Sequence, residues 1–172
     1  MRILRISLQI VCSLLSRKRI SPLEPLELSL RVWPGDVDLR FVNQSVYFFY
    51  LELARWDLIY RSKLGRTMRE LECIPVVAAQ SIRILKPIKR FSKVCIETQF
   101  SHWDDKWVYI EHKMHCKGKL VARALVKGLF KNRRRVVPTQ ELLSRTGLDG
   151  VTAKPNSRTA ELWNNFEDSL FS

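Results

Sequence analysis

The sequence predicts an α+β domain in which an antiparallel β-sheet wraps around one long, buried α-helix. Three features lead to this fold class: a half-buried strand near the start, an uninterrupted helical stretch after it, and four further strand-like runs. The chain has 172 residues, of which 46% are hydrophobic and 27% charged. This length and composition are typical of one globular domain that buries its own core without disulfides or a structural metal.

The first strand covers residues 26–32, where apolar and polar side chains alternate with period two. Such alternation is typical of a strand with one buried face. The sequence Trp33-Pro34-Gly35-Asp36 then breaks the pattern, because Pro fixes φ and Gly adopts conformations that other residues avoid. We therefore expect a turn between the strand and the helix.

A single helix is predicted from Gln44 to Leu64, a stretch that contains no Gly or Pro. Large apolar residues recur every three or four positions along one of its faces, namely Phe49, Leu53, Trp56 and Tyr60. Further apolar residues occur on the other faces, which predicts a helix that is covered on several sides. Gly65 is expected to end the helix.

Four strand-like runs follow the helix, at residues 74–85, 92–101, 106–116 and 120–130. Short connections between them predict hairpin turns, so that four consecutive strands form an antiparallel meander. Two C-terminal helices are expected, at residues 139–145 and 157–170. The long helix would cover one face of this sheet.

The N-terminal segment, residues 1–19, places a short apolar run between basic ends. Its longest charge-free stretch, residues 6–16, is shorter than the roughly 20 residues that a membrane-spanning helix needs. We interpret the segment as an amphipathic or docking helix that can make peripheral contact with an anionic membrane. The expected organisation is therefore a leader over residues 1–24, a main domain over 25–138, and a helical extension of that domain over 139–172.

The chain is strongly basic, with 30 Lys and Arg against 17 Asp and Glu and a formal charge of +13. Some part of its surface should therefore attract an anion, such as a nucleotide-bearing molecule, an acidic membrane or a nucleic acid. The basic residues are spread over several elements without a recognition-helix, zinc-finger or RNA-binding pattern, so a nucleic-acid partner is not expected. The four cysteines lack zinc-type spacing, which predicts buried thiols in a reducing compartment, no metal site and a cytoplasmic location.

Asp36 and Asp38 lie two residues apart on the loop that leads into the long helix. Asn43 is the predicted N-cap, and the backbone N–H groups that it leaves partly unpaired are those of Gln44, Ser45 and Val46. Such donors at the positive end of a helix can hold the oxyanion of a thioester carbonyl, while a nearby carboxylate attacks the carbonyl or activates water. Acidic residues before a helix are also ordinary turn formers, so the residues alone leave both interpretations open.

The stretch Arg31-Val32-Trp33-Pro34-Gly35-Asp36-Val37-Asp38, followed by Asn43-Gln44-Ser45-Val46-Tyr47 and Glu52-Leu53-Ala54-Arg55, resembles the signature of the 4-hydroxybenzoyl-CoA thioesterase branch of the hot-dog superfamily. That signature is roughly W-x-D-x-D, a His or similar residue, Asn-Asn, a Tyr, and Glu-x-Ala-Arg on the helix. The resemblance covers about residues 26–138. It implies a hot-dog fold, hydrolysis of an acyl-CoA-type thioester, and assembly as a homodimer or a tetramer.

Carried over to this chain, the second Asp of the signature is Asp38, which the resemblance implies as nucleophile or general base. Asn43 and Gln44 match the Asn-Asn pair, and Tyr47 matches the aromatic residue that supports the site. The chain is one residue shorter between Asp38 and Asn43, has Phe41-Val42 where many members carry a His, and has Gln44 for the second Asn. The position of Asp38 relative to the helix therefore depends on how this shorter loop folds, and Asp36 is expected to hold the turn.

Glu52 is the alternative catalytic carboxylate, because other hot-dog branches place theirs on the central helix. It lies eight residues beyond Gln44, which is about 12 Å along the helix axis at 1.5 Å per residue. At that distance it would serve the helix start poorly unless a partner subunit supplies it. A structural salt bridge, for example with Arg55, is the expected role.

Two basic clusters at strand ends are candidates for binding the phosphates of coenzyme A. The first contains Lys89 and Arg90, and the second contains Arg133, Arg134 and Arg135. Side chains would have to make these contacts because the chain has no Gly-rich phosphate loop. A solvated turn and a nucleic-acid contact are the alternative interpretations of the same charge.

The expected function is hydrolysis of an acyl thioester carried by coenzyme A or by an acyl-carrier protein. No cofactor is expected apart from the coenzyme A of the substrate itself. A non-catalytic protein that binds acyl thioesters is the second hypothesis, and a basic nucleic-acid-binding module is the third.

Overall fold

In the computed structural model of the chain, the described residues are 21, 23–146 and 158–171, so the predicted N-terminal helix lies outside them. The strands are β1 (Leu26–Arg31), β2 (Val37–Asp38), β3 (Phe41–Val42), β4 (Ile74–Ile84), β5 (Lys93–Trp103), β6 (Val108–Cys116), β7 (Lys119–Lys131) and β8 (Val136–Val137). The helices are α1 (Gln44–Arg61), α2 (Leu64–Glu70), α3 (Thr139–Arg145) and α4 (Arg158–Phe171). None of the helices among these residues is long and apolar enough to cross a membrane.

The main sheet is antiparallel, with the strand order β1-β5-β6-β7-β4, and β8 pairs with the end of β7. The predicted α+β class is confirmed. The predicted meander of four consecutive strands is wrong, because only β5, β6 and β7 follow one another across the sheet. Since α1 carries the chain across one face of the sheet after β1, β4 arrives at the opposite edge and pairs with β7 rather than with β5.

Helix α1 is buried on several sides, as its sequence predicts. Its first half packs into an apolar cluster with the inner faces of β5, β6 and β7. Its second half belongs to another cluster, which also contains residues of α2 and α3. Trp56 and Tyr60 stay partly exposed and stack on each other, with ring centroids 5.7 Å apart. The sheet therefore wraps one helix along its whole length and fixes where the helix begins.

The prediction that one helix runs to Leu64 and stops at Gly65 is wrong. Helix α1 ends at Arg61, and the Ser62 hydroxyl accepts a hydrogen bond from the Leu64 N–H at 3.3 Å, which begins α2. Gly65 lies inside α2, where an added Cβ would stand 3.1 Å from the Ile59 carbonyl oxygen. The glycine is therefore needed for close packing of the two helices, and Ser62, the C-cap of α1, lies at the break and accepts the first N–H of α2.

Helix α4 lies on the outer face of the sheet, opposite α1. The side-chain oxygen of Asn164 accepts hydrogen bonds from the Tyr109 hydroxyl and from the Lys127 ammonium, both at 2.9 Å. These contacts hold the C-terminal helix against β6 and β7. The outer face of the sheet is thus partly covered within a single chain.

Strand β4 forms an edge of the sheet and exposes several apolar side chains, among them Ile74, Val76 and Val77. An exposed, apolar edge strand is a template for pairing with another chain, and natural proteins pair or cover such edges. We therefore expect a symmetric homodimer in which β4 of one chain lies against β4 of the other.

Light scattering of the full chain at micromolar concentration should give the mass of a dimer. The double substitution Ile74→Lys and Val77→Lys should shift the mass toward that of a monomer, because charges on an edge strand oppose pairing. A matched control, Leu39→Lys at an exposed position away from this edge, should leave the dimer intact. A monomeric mass for the unmodified protein would contradict this assembly.

Candidate functional site

The loop between β1 and α1 is held by the carboxylate of Asp36, which is only 7% exposed. Its Oδ2 atom accepts hydrogen bonds from the Trp33 N–H and from the Tyr50 hydroxyl, both at 2.8 Å. The Asp36 backbone oxygen accepts a third bond, from the Asn43 N–H at 3.0 Å. Because Tyr50 lies in the second turn of α1, these contacts tie the loop to the helix that follows it.

Between Asp36 and Asn43 the chain forms a small hairpin of β2 and β3. Asp38 pairs with Phe41, so only Leu39 and Arg40 make the turn. Leu39 has a φ of 56°, a left-handed conformation that is uncommon for a residue other than Gly, Asn or Asp. The loop that is one residue shorter than the family signature thus folds as a tight two-residue turn.

This tight turn brings Asp38 next to the start of α1. The Asn43 side-chain amide donates a hydrogen bond from Nδ2 to Asp38 Oδ2. Its Oδ1 atom accepts one from the Ser45 N–H at 2.8 Å, which caps the helix as predicted. Asn43 therefore uses both ends of its amide, one to begin the helix and the other to orient the exposed carboxylate of Asp38.

Of the three backbone N–H groups expected to be partly unpaired at the helix start, two have partners within the chain. The Ser45 N–H is bonded to the Asn43 side chain, and the Val46 N–H donates to the Asn43 backbone oxygen at 3.0 Å. Asn43 occupies these donors because capping satisfies the first turn of a helix. Among the described residues no acceptor is bonded to the Gln44 N–H, which leaves it as the donor that a ligand can use.

Tyr47 is buried beneath this region and is 1% exposed. Burial raises the pKa of its hydroxyl, against the opposing effect of a backbone contact with Ile88. The Ile88 oxygen accepts a hydrogen bond from the Val42 N–H at 2.9 Å, and Phe41 forms a β-bridge with Lys89. These contacts attach the loop between β4 and β5 to the hairpin, so Lys89 and the adjacent Arg90 lie at the same end of the sheet as Asp38.

The second basic cluster lies at the opposite end of the sheet and comprises Arg133, Arg134 and Arg135. Strand β7 begins at the Asp38 end, beside the last residue of β6, and extends for about 40 Å at 3.3 Å per residue before this cluster. Asn132 Oδ1 accepts the N–H groups of Arg134 and Arg135, and the Arg135 guanidinium pairs with Glu141 at 2.7 Å. Within one chain the structure therefore does not bring the two predicted phosphate-binding clusters together.

Glu52 lines a mostly apolar cavity of about 110 Å³ between α1, the start of β4 and the inner face of the sheet. The predicted salt bridge with Arg55 is wrong, because the two side chains form no ion pair although Arg55 lines the same cavity. Arg55 turns inward, and its Nη1 atom is buried without a hydrogen-bond partner among the described residues. Burial lowers the pKa of the Arg55 guanidinium to about 10, and the charge of Glu52 acts in the opposite direction.

His112 lies on the inner face of β6 and is 1% exposed. Its Nδ1 atom is 2.9 Å from the Thr98 hydroxyl oxygen, while its Nε2 atom has no partner in the described part of the chain. Burial, and then the positive charge of Arg55, lowers the pKa of His112 well below its usual value. Arg55, Thr98 and His112 thus form a polar layer inside the apolar core, which the sequence analysis missed although His112 occupies an apolar-face position of its strand.

Comparisons with known proteins agree on one family. The sequence model of the thioesterase-like superfamily matches residues 32–146. A probable thioesterase of Saccharomyces cerevisiae is 29% identical over 120 residues, which are 67% of this chain and 52% of that protein. The chain spans about half or less of the length of the curated relatives it matches.

Solved structures share the fold. A probable thioesterase from Escherichia coli has a TM-score of 0.66 at 20% identity and covers 74% of this chain and 99% of its own. A 4-hydroxybenzoyl-CoA thioesterase in complex with 4-hydroxybenzoyl-CoA has a TM-score of 0.60 at 17% identity, covering 66% of this chain and 91% of its own. Since these identities are low, they show the fold alone, and they confirm the predicted hot-dog architecture.

The buried, neutral His112 makes stability dependent on pH. In the folded chain its pKa is depressed, whereas in the unfolded chain it takes up a proton near pH 6.5. Below that pH the unfolded state binds more protons, so the free energy of unfolding should fall with decreasing pH by up to about 1.4 kcal/mol per pH unit.

Urea unfolding of the wild type and of His112→Gln, measured from pH 7.5 down to about pH 5, tests this dependence. The His112→Gln variant should show a shallower fall, because its side chain does not titrate. His115→Gln, at a half-buried position on the other face of β6, is the matched control and should keep the wild-type slope. If the free energy of unfolding falls equally with decreasing pH in the wild type and in His112→Gln, His112 is not the cause of the pH dependence.

Proposed function

Because this chain belongs to the thioesterase-like superfamily, we propose that it hydrolyses an acyl-CoA thioester at the start of α1, with Asp38 as the reacting carboxylate. One observation carries the proposal. Asn43 holds the Asp38 carboxylate and begins the helix whose Gln44 N–H is free for a ligand. An anchored carboxylate beside an available donor is the arrangement that acyl transfer from a thioester requires.

A thioester carbonyl oxygen would accept a hydrogen bond from the Gln44 N–H, at the positive end of the α1 dipole. The Asp38 carboxylate then takes a proton from water as the water oxygen attacks the carbonyl carbon, or attacks that carbon itself. The negative charge that develops on the carbonyl oxygen is stabilised by the N–H group. Collapse of the intermediate breaks the C–S bond, and the thiolate leaves and takes up the proton.

The two routes differ in where the oxygen of water ends up. If Asp38 is the nucleophile, its oxygen displaces the thiolate and forms an anhydride with the acyl group. Water that attacks the Asp38 carbonyl of this anhydride leaves label in the Asp38 carboxylate, whereas attack on the acyl carbonyl puts the label in the product acid. Label in Asp38 after a single turnover in oxygen-labelled water therefore identifies the nucleophilic route. If Asp38 is the base, label appears only in the product acid. Both routes need the same placement of Asp38 and Gln44.

Glu52 is less suited to this role in a single chain. It is about 12 Å along the helix axis from the Gln44 N–H. It lies in an apolar cavity beside the half-buried Arg55, and the cavity suits the hydrocarbon part of an acyl group better than an attacking water. We therefore assign Glu52 to the lining of the cavity.

We propose coenzyme A as the carrier because Lys89 and Arg90, both exposed, lie at the Asp38 end of the sheet where they can pair with its phosphates. Proteins with a similar solved structure include a 4-hydroxybenzoyl-CoA thioesterase and a gentisyl-coenzyme A thioesterase, which act on CoA thioesters. We also propose a cytoplasmic location, which agrees with the free thiols of Cys73, which is buried as expected, and of Cys95 and Cys116, which are only partly buried.

Replacing Asp38 with Asn should lower kcat by about a hundredfold or more, because the amide has the same shape but is neither a base nor an effective nucleophile. Steady-state hydrolysis of short, long and aromatic acyl-CoA substrates with thiol detection measures the effect. Circular dichroism and thermal unfolding should show that the fold is kept.

Two matched carboxylate variants serve as controls. Glu52→Gln should change kcat little, and Asp36→Asn should chiefly lower stability, because the buried Asp36 carboxylate accepts two hydrogen bonds that hold the loop. Full turnover by Asp38→Asn together with loss of activity in Glu52→Gln would move the catalytic carboxylate to the helix. An unmodified protein that binds acyl-CoA but hydrolyses none of these substrates would support the non-catalytic binding function instead.

The two basic clusters can be separated by kinetics. Lys89→Ala with Arg90→Ala should raise KM for acyl-CoA several-fold with little change in kcat, because phosphate contacts far from the reacting carbon bind the ground and transition states alike. If the Arg133–Arg135 cluster contacts the same phosphates across a dimer, Arg133→Ala with Arg134→Ala should have an effect of similar size. An unchanged KM for both double variants would contradict the phosphate-binding role of these clusters.

A further inference from the structure

The end of the sheet that carries Asp38 exposes several bulky apolar side chains, including Ile84 and Leu85 at the end of β4. We call four others the apolar tips. They are Trp33 (54% exposed), Leu39 (104%), Phe41 (40%) and Phe91 (54%). Two contacts place them on one surface: the Phe91 N–H donates to the Val32 oxygen at 3.0 Å, next to Trp33, and Phe41 bridges to Lys89. The tips thus come from two segments that lie side by side, the loop between β1 and α1 with its hairpin and the loop between β4 and β5.

Two of these apolar tips sit in strained backbone conformations. Leu39 has a φ of 56° and Phe91 a φ of 62°, in the left-handed region that favours Gly. The other described non-glycine residues with positive φ, Glu72 and Lys117, are polar. The Leu39 side chain is fully exposed and that of Phe91 is 54% exposed, so packing within the chain covers none of the leucine and only part of the phenylalanine.

Basic side chains surround the apolar tips. The loops around them, residues 31–41 and 84–93, carry six exposed basic side chains, namely Arg31, Arg40, Lys86, Lys89, Arg90 and Lys93. Their acidic residues are only two, the buried Asp36 and the exposed Asp38. The Arg90 guanidinium lies over the Phe91 ring, 5.1 Å from its centroid, and makes a cation–π contact with it.

We propose that this end of the protein docks on an anionic lipid surface, with the apolar tips inserted among the headgroups and the surrounding cations paired with lipid phosphates and carboxylates. Exposed Trp, Phe and Leu side chains flanked by Lys and Arg suit the boundary between headgroups and acyl chains. Each cation near an anionic membrane adds favourable electrostatic energy.

Other anionic partners would account for the cations of this surface but not for its exposed apolar side chains. The phosphates of coenzyme A and an acidic carrier protein would both use the cations, but neither requires four exposed apolar side chains, two of them on strained turns. A lipid surface uses both features at once. The docking does not require thioester hydrolysis, although Lys89 and Arg90 belong both to this surface and to the coenzyme A contact proposed above. It would place the Asp38 end at the lipid boundary, where long acyl chains partition.

Sedimentation of the full chain with phosphatidylcholine vesicles, with and without about a third phosphatidylserine, tests the proposal. Binding should require the anionic lipid and should weaken when NaCl is raised from about 0.1 M to 0.5 M. The key variant is Leu39→Gly with Phe91→Gly, because Gly removes the apolar side chain and also suits the positive φ. Its partition coefficient should fall by at least about tenfold, while its thermal stability stays the same or rises.

The control is Leu162→Ser with Phe166→Ser, which removes two exposed apolar side chains (60% and 61% exposed) from α4 and should leave binding unchanged. Unchanged vesicle binding by the Leu39→Gly and Phe91→Gly variant would overturn the proposal, whatever other part of the chain contributes. Equal binding to neutral and anionic vesicles would overturn it as well. So would a loss of the dimer in that variant, since the apolar tips would then belong to a subunit interface, or saturable binding of an acidic carrier protein with none to vesicles.

Discussion

The hydrogen bonds of the buried Asp36 carboxylate govern the functional end of this protein. A carboxylate removed from water must be hydrogen-bonded, and this one accepts from a backbone N–H before the turn and from the Tyr50 hydroxyl on α1. Movement of the loop away from α1 would therefore break the hydrogen bonds of the Asp36 carboxylate. The hairpin that presents Asp38 and the cap that begins α1 both depend on this attachment.

The interior of the protein is divided along α1. Apolar clusters surround the two halves of the helix, and the polar layer of Arg55, Thr98 and His112 lies among them. Buried polar groups without partners are expensive, so this layer lowers the stability of the core and ties it to pH. The division also separates two environments on one helix, the exposed start beside Asp38 and the apolar cavity beside Glu52.

The same end of the sheet concentrates charge, apolar exposure and backbone strain. The loops that hold Leu39 and Phe91 are joined to one another through the hairpin and the last residues of β1. Strain of this kind persists only where the surrounding structure fixes the backbone, and it is common where side chains act on something outside the chain. The proposed hydrolysis site and the proposed lipid-binding surface are therefore neighbours on a rigid support rather than separate parts of the protein.

Much of the fold followed from local patterns in the sequence. Alternation with period two located the strands, the absence of Gly and Pro located α1, and Asn43 marked its start, because each of these signals is carried by residues close together in the chain. The signature residues around Asp38 and Asn43 likewise identified the family. These residues did not predict how the shorter loop between Asp38 and Asn43 folds.

Only the tertiary structure decided the remaining features, because each depends on partners far apart in sequence. The pairing of β4 with β7 follows from the path of α1 across the sheet. The inward turn of Arg55 depends on the packing around it. The two basic clusters lie at opposite ends of the sheet because β5, β6 and β7, which separate them in the chain, run antiparallel to one another. The availability of the Gln44 N–H depends on competition for hydrogen bonds at Asn43. The sequence by itself determined which groups are present at the site and on which elements. The packed chain decided which of them meet, because long-range pairing and the satisfaction of buried polar groups are properties of the whole fold.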